Sequence, residues 1–343
     1  MSNRLEIIKQ RLSNETNSWL VTGAAGFIGS HLVQFLLENK QKVIAIDNFS
    51  TGLKSNIDFL EQHHNHLDNG SQFTFSELDI RNSEDCHTMT QNIDYILHQA
   101  AIGSVPRSIE DPFTTHDSNV NGFLNIIYAA KENKVKNFVY ASSSSVYGDS
   151  EVLPKKESHH GQPLSPYAVT KSVNETYAMA FFKAYGFNSI GLRYFNVFGL
   201  RQDPEGQYAA VIPKWINSIL AQEDLYINGD GSTTRDFCYV DNAVQANILA
   251  AITDKEESLN RVYNIAADHQ ITLLELYNTI KTNISTQMPT LELKKPIYRD
   301  FRPGDIMHSR ADIKMAEELL GYEVTMSVSE GLEDLVRMEC SKA

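Results

Sequence analysis

The chain has 343 residues, of which 42% are hydrophobic and 21% charged, so extended disorder is excluded. With 30 Lys and Arg against 43 Asp and Glu, the formal net charge is -13, which argues against a nucleic-acid partner. The length allows two domains, or one large domain carrying a lobe.

The N-terminal stretch MSNRLEIIKQRLSNETNSW has no signal-peptide core. Leu5, Ile8 and Leu12 fall at helical spacing and predict a short amphipathic helix that packs on the protein rather than on a membrane. The apolar run from Trp19 to Leu37 approaches bilayer-spanning length, but Thr22, Ser30, His31, Gln34 and three glycines interrupt it. A buried strand, a glycine turn and a helix account for it better. A soluble cytoplasmic protein without a membrane partner is expected.

The stretch WLVTGAAGFIGSHLVQFLLENKQKVIAIDNFS carries the first unit. Trp19 to Thr22 reads as a strand, Phe27 to Leu37 as a helix, and Lys42 to Ile46 as a second strand ending in Asp47. Gly23, Gly26 and Gly29 lie between at three-residue spacing. This is a strand–turn–helix–strand unit of about 30 residues. The first glycine permits a tight turn, the second leaves room for a pyrophosphate, and the third lets helix and strand pack closely. The helix N-terminus offers free N–H groups and a positive dipole end to a diphosphate. Asp47 can accept hydrogen bonds from ribose hydroxyls and would repel a 2′-phosphate, which favours NAD over NADP.

Further strands are read at Phe73–Leu78, Tyr95–Leu97, Asn137–Ala141, Ser189–Arg193 and Arg261–Ile265, and a helix at Asn119–Lys131. The alternation implies an α/β fold with a doubly wound parallel sheet of about seven strands. Ligands of such sheets sit beyond the carboxyl ends of the strands. Candidate cofactor contacts are therefore Gly23, Gly26, Gly29, Phe27, Ile28, Asp47, Asn48, Asp79, Ile80, Gln99, Ala100 and Ala101. Cys86, Cys238 and Cys340 are too scattered for a disulfide framework or a zinc site. His63, His64 and His66, and the pair His159 and His160, read as solvated loops; no metal is expected.

The ordered motifs GAAGFIG, HQAA, SSSSVYG, SPYAVTK and RYFNVFG resemble the extended short-chain dehydrogenase/reductase family, and within it the nucleotide-sugar 4-epimerases. The resemblance runs from about Ser18 to Tyr322. It implies a Rossmann domain over 1–196 and 239–267, and a smaller C-terminal α/β substrate lobe over 197–238 and 268–343. It also implies a homodimer formed through a four-helix contact. Tyr167 and Lys171 lie one helical turn apart and so face the same side. The resemblance puts that side under the nicotinamide of NAD, with Lys171 on its ribose. An ammonium and a positive nicotinamide both favour the phenolate, so Tyr167 is the expected base. Counting back from Tyr147-Gly148, the hydroxyl that holds and relays the proton falls on Ser143, with Ser142 and Ser144 as neighbouring candidates. Related dehydratases carry an Asp-Glu pair and related decarboxylases a Glu near this point. Ser144-Ser145 stand here, which leaves reversible hydride transfer at C4.

At the substrate end the resemblance assigns Asn196 to the sugar nucleotide's diphosphate, with Arg235 and Arg302 as its clamp. Arginine suits this work because its planar fork pairs with phosphate oxygens and stays charged. Tyr226 and Asn228 belong to the stretch that lines the uracil, and Asp305 is assigned to the uridine ribose. Ser309 stands where the UDP-galactose epimerases have a bulky tyrosine, and Gly103-Ser104 resembles the subgroup that prefers N-acetylated sugars. Gly103, Ser104 and Ser309 could equally be small residues set by backbone packing. Gln207-Tyr208-Ala209-Ala210 departs from the galactose type and fits a reshaped pocket, with Ala210 as a candidate contact. The implied activity is interconversion of UDP-GlcNAc and UDP-GalNAc, similar to bacterial enzymes that supply surface polysaccharide such as O-antigen. The alternatives are a UDP-glucose/UDP-galactose or UDP-uronic acid epimerase, and a non-catalytic NAD-binding regulator; the intact Tyr167 and Lys171 weigh against the regulator.

Overall fold

The computed structural model describes residues 3–67, 70–204, 210–301 and 307–342. The strands β1 (Ser18–Thr22), β2 (Lys42–Asp47), β3 (Gln72–Glu77), β4 (Tyr95–His98), β5 (Asn137–Ser143), β6 (Ser189–Tyr194) and β7 (Arg261–Ile265) form one sheet. Their order is β7-β6-β5-β4-β1-β2-β3, and every neighbouring pair is parallel. The chain winds outward through β1, β2 and β3, then returns to β1's other side with β4. That reversal opens a crevice beyond the ends of β1 and β4, where a parallel sheet accepts ligands.

The longer helices are α1 (Asn3–Asn14), α2 (Phe27–Glu38), α3 (Lys54–His66), α4 (Gly122–Glu132), α5 (Pro166–Tyr185), α6 (Val211–Leu220), α7 (Val240–Ile252), α8 (Leu273–Gln287) and α9 (Val328–Cys340). Side chains alternate across a strand, so the sheet feeds two cores. Trp19, Val21, Leu97 and Val139 face a core shared with Leu32 and Leu36 of α2 and with Val244 and Ile248 of α7. Leu20, Ile96 and Phe138 face the other, with Phe123 and Ile127 of α4 and Phe181 of α5. In α1, Ile8 and Leu12 are buried as the helical spacing implied. Gln41 ties that helix down by donating to the Leu12 carbonyl at 2.9 Å, while its own oxygen accepts from Trp19 Nε1 at 3.1 Å.

The rest of the chain builds the lobe. Val197–Phe198 pairs with Cys238–Tyr239, Thr234–Asp236 with Gln270–Thr272, and Tyr226–Asn228 with Ile297–Arg299. The helices α6, α8 and α9 pack around these short strands. Among the described residues, no helix is long and apolar enough to cross a membrane.

Two expectations change. The segment from Asn119 is not one regular helix: Asp117–Asn121 forms a π-helical turn that leads into α4 at Gly122. His63, His64 and His66 lie not in a loop but on the last turn of α3, where their side chains meet the carbonyl end of the helix dipole. His63 Nε2 lies 3.1 Å from Glu38 Oε1.

Candidate active site

The crevice begins at Gly23, whose φ of +71° favours glycine. A Cβ there would lie 2.7 Å from the Ala100 nitrogen, so the β1 and β4 loops approach only because it is absent. Gly29 serves packing instead: its Cβ would lie 2.1 Å from the Gly23 oxygen. Gly26 is the N-cap of α2, and no side chain caps it. The start of that helix is thus left to offer its N–H groups to an anion.

Asp47 closes the far wall. Its Oδ2 accepts from the Ala25 N–H at 3.0 Å and its Oδ1 from the Phe49 N–H at 2.8 Å. Burial pushes its carboxyl up and these N–H bonds pull it back. Asn48 donates to Asp79 Oδ2 at 2.9 Å, and Arg81 holds the Asp79 carboxyl down at about 2. Gly23, Gly26, Asp47, Asn48, Asp79, Ile80, Gln99, Ala100 and Ala101 line one cleft. Phe27, Ile28 and Gly29 are not among its lining residues. Gln99 turns its amide away, donating to Asn247 Oδ1 at 3.0 Å and accepting from the Tyr194 hydroxyl at 3.2 Å. The cleft also uses Ser50, Thr51, Gly52, Leu78, Ile102 and Ser118, which sequence reasoning missed. The run of small residues after Asp47 was the available signal; a Cβ on Gly52 would meet Ala25 Cβ at 2.7 Å.

Ser165 caps α5 by accepting from the Ala168 N–H at 3.2 Å, and Pro166 occupies the first helical position. This start holds Tyr167 and Lys171 one turn apart. The Lys171 ammonium is buried, donates to the Ala141 carbonyl at 2.8 Å and lies 5.9 Å from the Tyr167 ring centre. Burial pushes it down to about 8, while Glu175 opposes that shift. Burial pushes the Tyr167 phenol up, and the Ser143 side chain works against that shift. The chain alone therefore keeps Tyr167 protonated at neutral pH, and a further positive charge has to face the ring to release the proton.

The serines separate by role. Ser143 caps the turn Ser144–Tyr147 by accepting from the Ser145 N–H at 3.1 Å. Ser142 is buried and its hydroxyl donates to Glu175. Ser144 is half-buried on the turn. Asn119, buried behind the cleft, supports it. From the π-helical turn it accepts from the Ile102 N–H at 2.7 Å, and it donates to the Ile102 carbonyl and to Thr170 Oγ1, both at 3.1 Å. It thereby joins the β4 loop to α5.

At the lobe, Asn196 adopts φ +35° and donates to the Asp236 carbonyl at 2.9 Å. Arg235 donates to the Thr234 carbonyl at 2.9 Å, and the Ser309 N–H reaches the same carbonyl at 3.2 Å. Arg235, Ser309 and Asn196 are thus brought together around Thr234–Asp236. Tyr226 lies under the Arg299 guanidinium, 3.2 Å from ring centre to its carbon, and Asn228 pairs with Arg299 in register. Gly103 has open space where a Cβ would be, whereas Ser104 caps a short helix by accepting from the Arg107 N–H at 3.2 Å. Ala210 is exposed at the start of α6. Arg302, Asp305, Gln207, Tyr208 and Ala209 lie outside the described residues.

The family model for NAD-dependent epimerases and dehydratases matches residues 19–266. The chain belongs to this NAD-dependent epimerase/dehydratase family. It is similar to the UDP-N-acetylglucosamine 4-epimerase of Methanobrevibacter ruminantium in complex with UDP-N-acetylmuramic acid. That likeness has 36% identity and a TM-score of 0.85, over 96% of this chain and 100% of that one. The UDP-glucose 4-epimerase of Thermotoga maritima with UDP-glucose is 34% identical, at a TM-score of 0.84, over 95% of this chain and 100% of that one. The UDP-glucuronic acid 4-epimerase of Bacillus cereus, in complex with UDP-glucuronic acid and NAD, is 33% identical, at a TM-score of 0.81, over 95% and 99%. The uncapped start of α2, the glycine cradle and the carboxylate of Asp47 fit the cofactor of this family.

Proposed function

We propose that the protein interconverts UDP-GlcNAc and UDP-GalNAc by oxidising C4 of the sugar and reducing the other face of the 4-keto sugar. The observation that carries this reading is the placement of Tyr167 one helical turn from the buried Lys171, whose ammonium lies 5.9 Å from the Tyr167 ring centre. Bound NAD supplies the acceptor and donor of the C4 hydrogen. Tyr167 takes the proton of the 4-hydroxyl and returns it, Ser143 holds that oxygen, and Lys171 supports the ionised phenol. Asp47, Asn48, Asp79 and Ile80 hold the adenosine end of the cofactor. Asn196, Arg235 and Arg302 hold the sugar nucleotide's diphosphate, Tyr226 and Asn228 its uracil, and Asp305 its ribose. Residues 1–196 and 239–267 carry the cofactor, and 197–238 with 268–343 the UDP-sugar.

Relatives of comparable identity act on glucose, glucuronic acid and N-acetylglucosamine, so the sugar must be argued from the pocket. Ser309 is small and half-buried beside Arg235, and Gly103 leaves open space; both support room for an N-acetyl group. A function in surface polysaccharide synthesis would follow from that product. The test is to compare UDP-GlcNAc, UDP-Glc and UDP-glucuronate by NMR, in the wild type and in Ser309→Tyr. The variant is expected to lose about tenfold or more on the acetylated sugar and little on glucose. Equal losses would overturn the pocket assignment.

A homodimer through α4 and α5 also belongs to this reading. Tyr128, Val169, Met179 and Phe182 are exposed on those helices. A monomer's mass in sedimentation equilibrium would remove it.

A further inference from the structure

The turn that follows Ser143 is fastened at both ends. At its start Ser143 accepts from the Ser145 N–H at 3.1 Å, and at its close the Gly148 N–H donates to the Ser145 carbonyl at 3.1 Å. Tyr147, the last residue of the turn, is buried. Its ring packs with the Arg193 guanidinium, 4.8 Å from the ring centre, and with the Phe195 ring at 6.0 Å. A phenylalanine could make those ring contacts. The hydroxyl calls for a reason of its own, because burying it costs free energy unless it is bonded. It donates to Asn264 Oδ1 at 2.6 Å.

Asn264 lies on β7, is fully buried, and reaches well beyond the turn. Its Nδ2 donates to the Lys155 carbonyl at 2.9 Å and to the Asp312 carbonyl at 3.0 Å, and its backbone N–H donates to Glu157 Oε1 at 2.9 Å. The side-chain oxygen and both amide hydrogens are thus in use. Lys155 and Ala311 form a parallel bridge. In it the Lys155 N–H donates to the Arg310 carbonyl at 2.7 Å and the Asp312 N–H to the Lys155 carbonyl at 2.9 Å. Ser309 stands directly before this bridge, and its own N–H is held by the Thr234 carbonyl. One asparagine side chain therefore meets the Ser143 turn on one side and, through Asp312, the segment that begins with Ser309 on the other. Neither Tyr147 nor Asn264 lines the cofactor cleft, so the connection bears on the sugar side of the site.

We propose that the Tyr147–Asn264 hydrogen bond is a positioning link that sets Ser143 and its turn against the Ser309–Asp312 segment, and so holds the serine hydroxyl in register with the sugar pocket. This rests on the assignments of Ser143 and Ser309 given above. Tyr147 and Asn264 act through Ser143 and are positioning residues. A displacement of about 1 Å at a reacting group can cost about 10²-fold in rate. Binding draws on the whole nucleotide, whereas the rate depends on the placement of one hydroxyl. The link therefore acts on kcat more than on KM.

The experiment uses the NAD-loaded protein as wild type, Tyr147→Phe, Asn264→Ala and the double variant, with the UDP-sugar that the wild type turns over fastest. Turnover is counted per bound NAD, which takes any unfolded fraction out of the comparison. Tyr147→Phe keeps the ring and removes one bond. It is expected to lower kcat about tenfold, with KM and NAD content within about twofold of the wild type. Asn264→Ala is expected to lose at least as much, and the double variant no more than Asn264→Ala, because one bond serves both residues. If Asn264→Ala does not fold, the split between kcat and KM in Tyr147→Phe decides alone. A kcat within about twofold of the wild type in Tyr147→Phe, whatever its melting temperature, would show a merely structural bond and overturn the proposal. A loss confined to KM, or losses that multiply in the double variant, would overturn it too. A wild type that turns over no UDP-sugar would refute the catalytic reading itself, and the link with it.

Discussion

Tyr167 is pulled in opposite directions by its surroundings: burial favours the neutral phenol, and the Ser143 side chain favours its ionised form. A proton acceptor near neutrality therefore has to draw on Lys171 and on the positive ring of the cofactor. Tyr167→Phe removes the proposed acceptor and leaves the glycine cradle untouched. It is expected to lower turnover by about 10²–10⁴-fold with NAD content unchanged, checked by steady-state assay and by release of the nucleotide on denaturation. Retained turnover would refute the assignment. Tyr167 and Lys171 were legible because their types and their four-residue spacing are sequence properties. The separate uses of Ser142 and Ser143 were not, because which hydroxyl a strand end turns toward the pocket depends on where Glu175 and Tyr167 arrive from α5. Gln99 shows the same limit: its position after β4 is readable, but its bonds to Asn247 and Tyr194 come from segments far along the chain.

The elements of the sheet follow from alternation. Runs such as Trp19–Thr22 and Asn137–Ala141 are short, apolar and bounded by turn residues, so strand ends shift by only a residue or two between sequence and structure. The π-helical turn at Asp117–Asn121 was not readable, since helical periodicity passes smoothly across one widened turn. That turn sets Asn119 against Ile102 and Thr170. Asn119→Ala leaves buried N–H and C=O groups of Ile102 without those bonds. The expected cost is about 1–3 kcal/mol of stability, seen as a lowered denaturation midpoint, together with a fall in kcat as α5 loses its tie to the β4 loop. A variant with unchanged midpoint and unchanged kcat would show that the tie is dispensable. The histidines of α3 were misread for a related reason: a polar helix with one narrow buried edge, at Asn56, Ile57 and Leu60, looks like a loop in composition.

At the level of the whole molecule, Asp236 joins the sheet to the lobe. Its carboxylate accepts from the Ala267 N–H just beyond β7 at 3.0 Å and from the Ala311 N–H at 3.1 Å. Its backbone carbonyl holds Asn196. Burial pushes the carboxyl up to about 7. A carboxyl raised above its ordinary value of about 4 binds its proton more tightly in the folded protein. Its contribution to stability is therefore full below about pH 4 and is lost as pH rises through about 7. Replacing it with Asn should flatten that part of the stability curve, measured as melting temperature between about pH 4 and 7. An unchanged slope would contradict the role. The change of character after Asn196 is readable in the sequence. The joint was not, because Asp236 reads in sequence as one more charged residue.

In the proposed reaction one hydrogen leaves C4 of the sugar and comes back to the same carbon within a single site. UDP-GlcNAc carrying deuterium at C4 tests it directly when incubated with the purified protein and no added NAD, the product being followed by NMR and mass spectrometry. The expected result is UDP-GalNAc that keeps its C4 deuterium. Deuterium lost to the solvent would contradict the claim, because it would mean that C4 is inverted by removal of a proton.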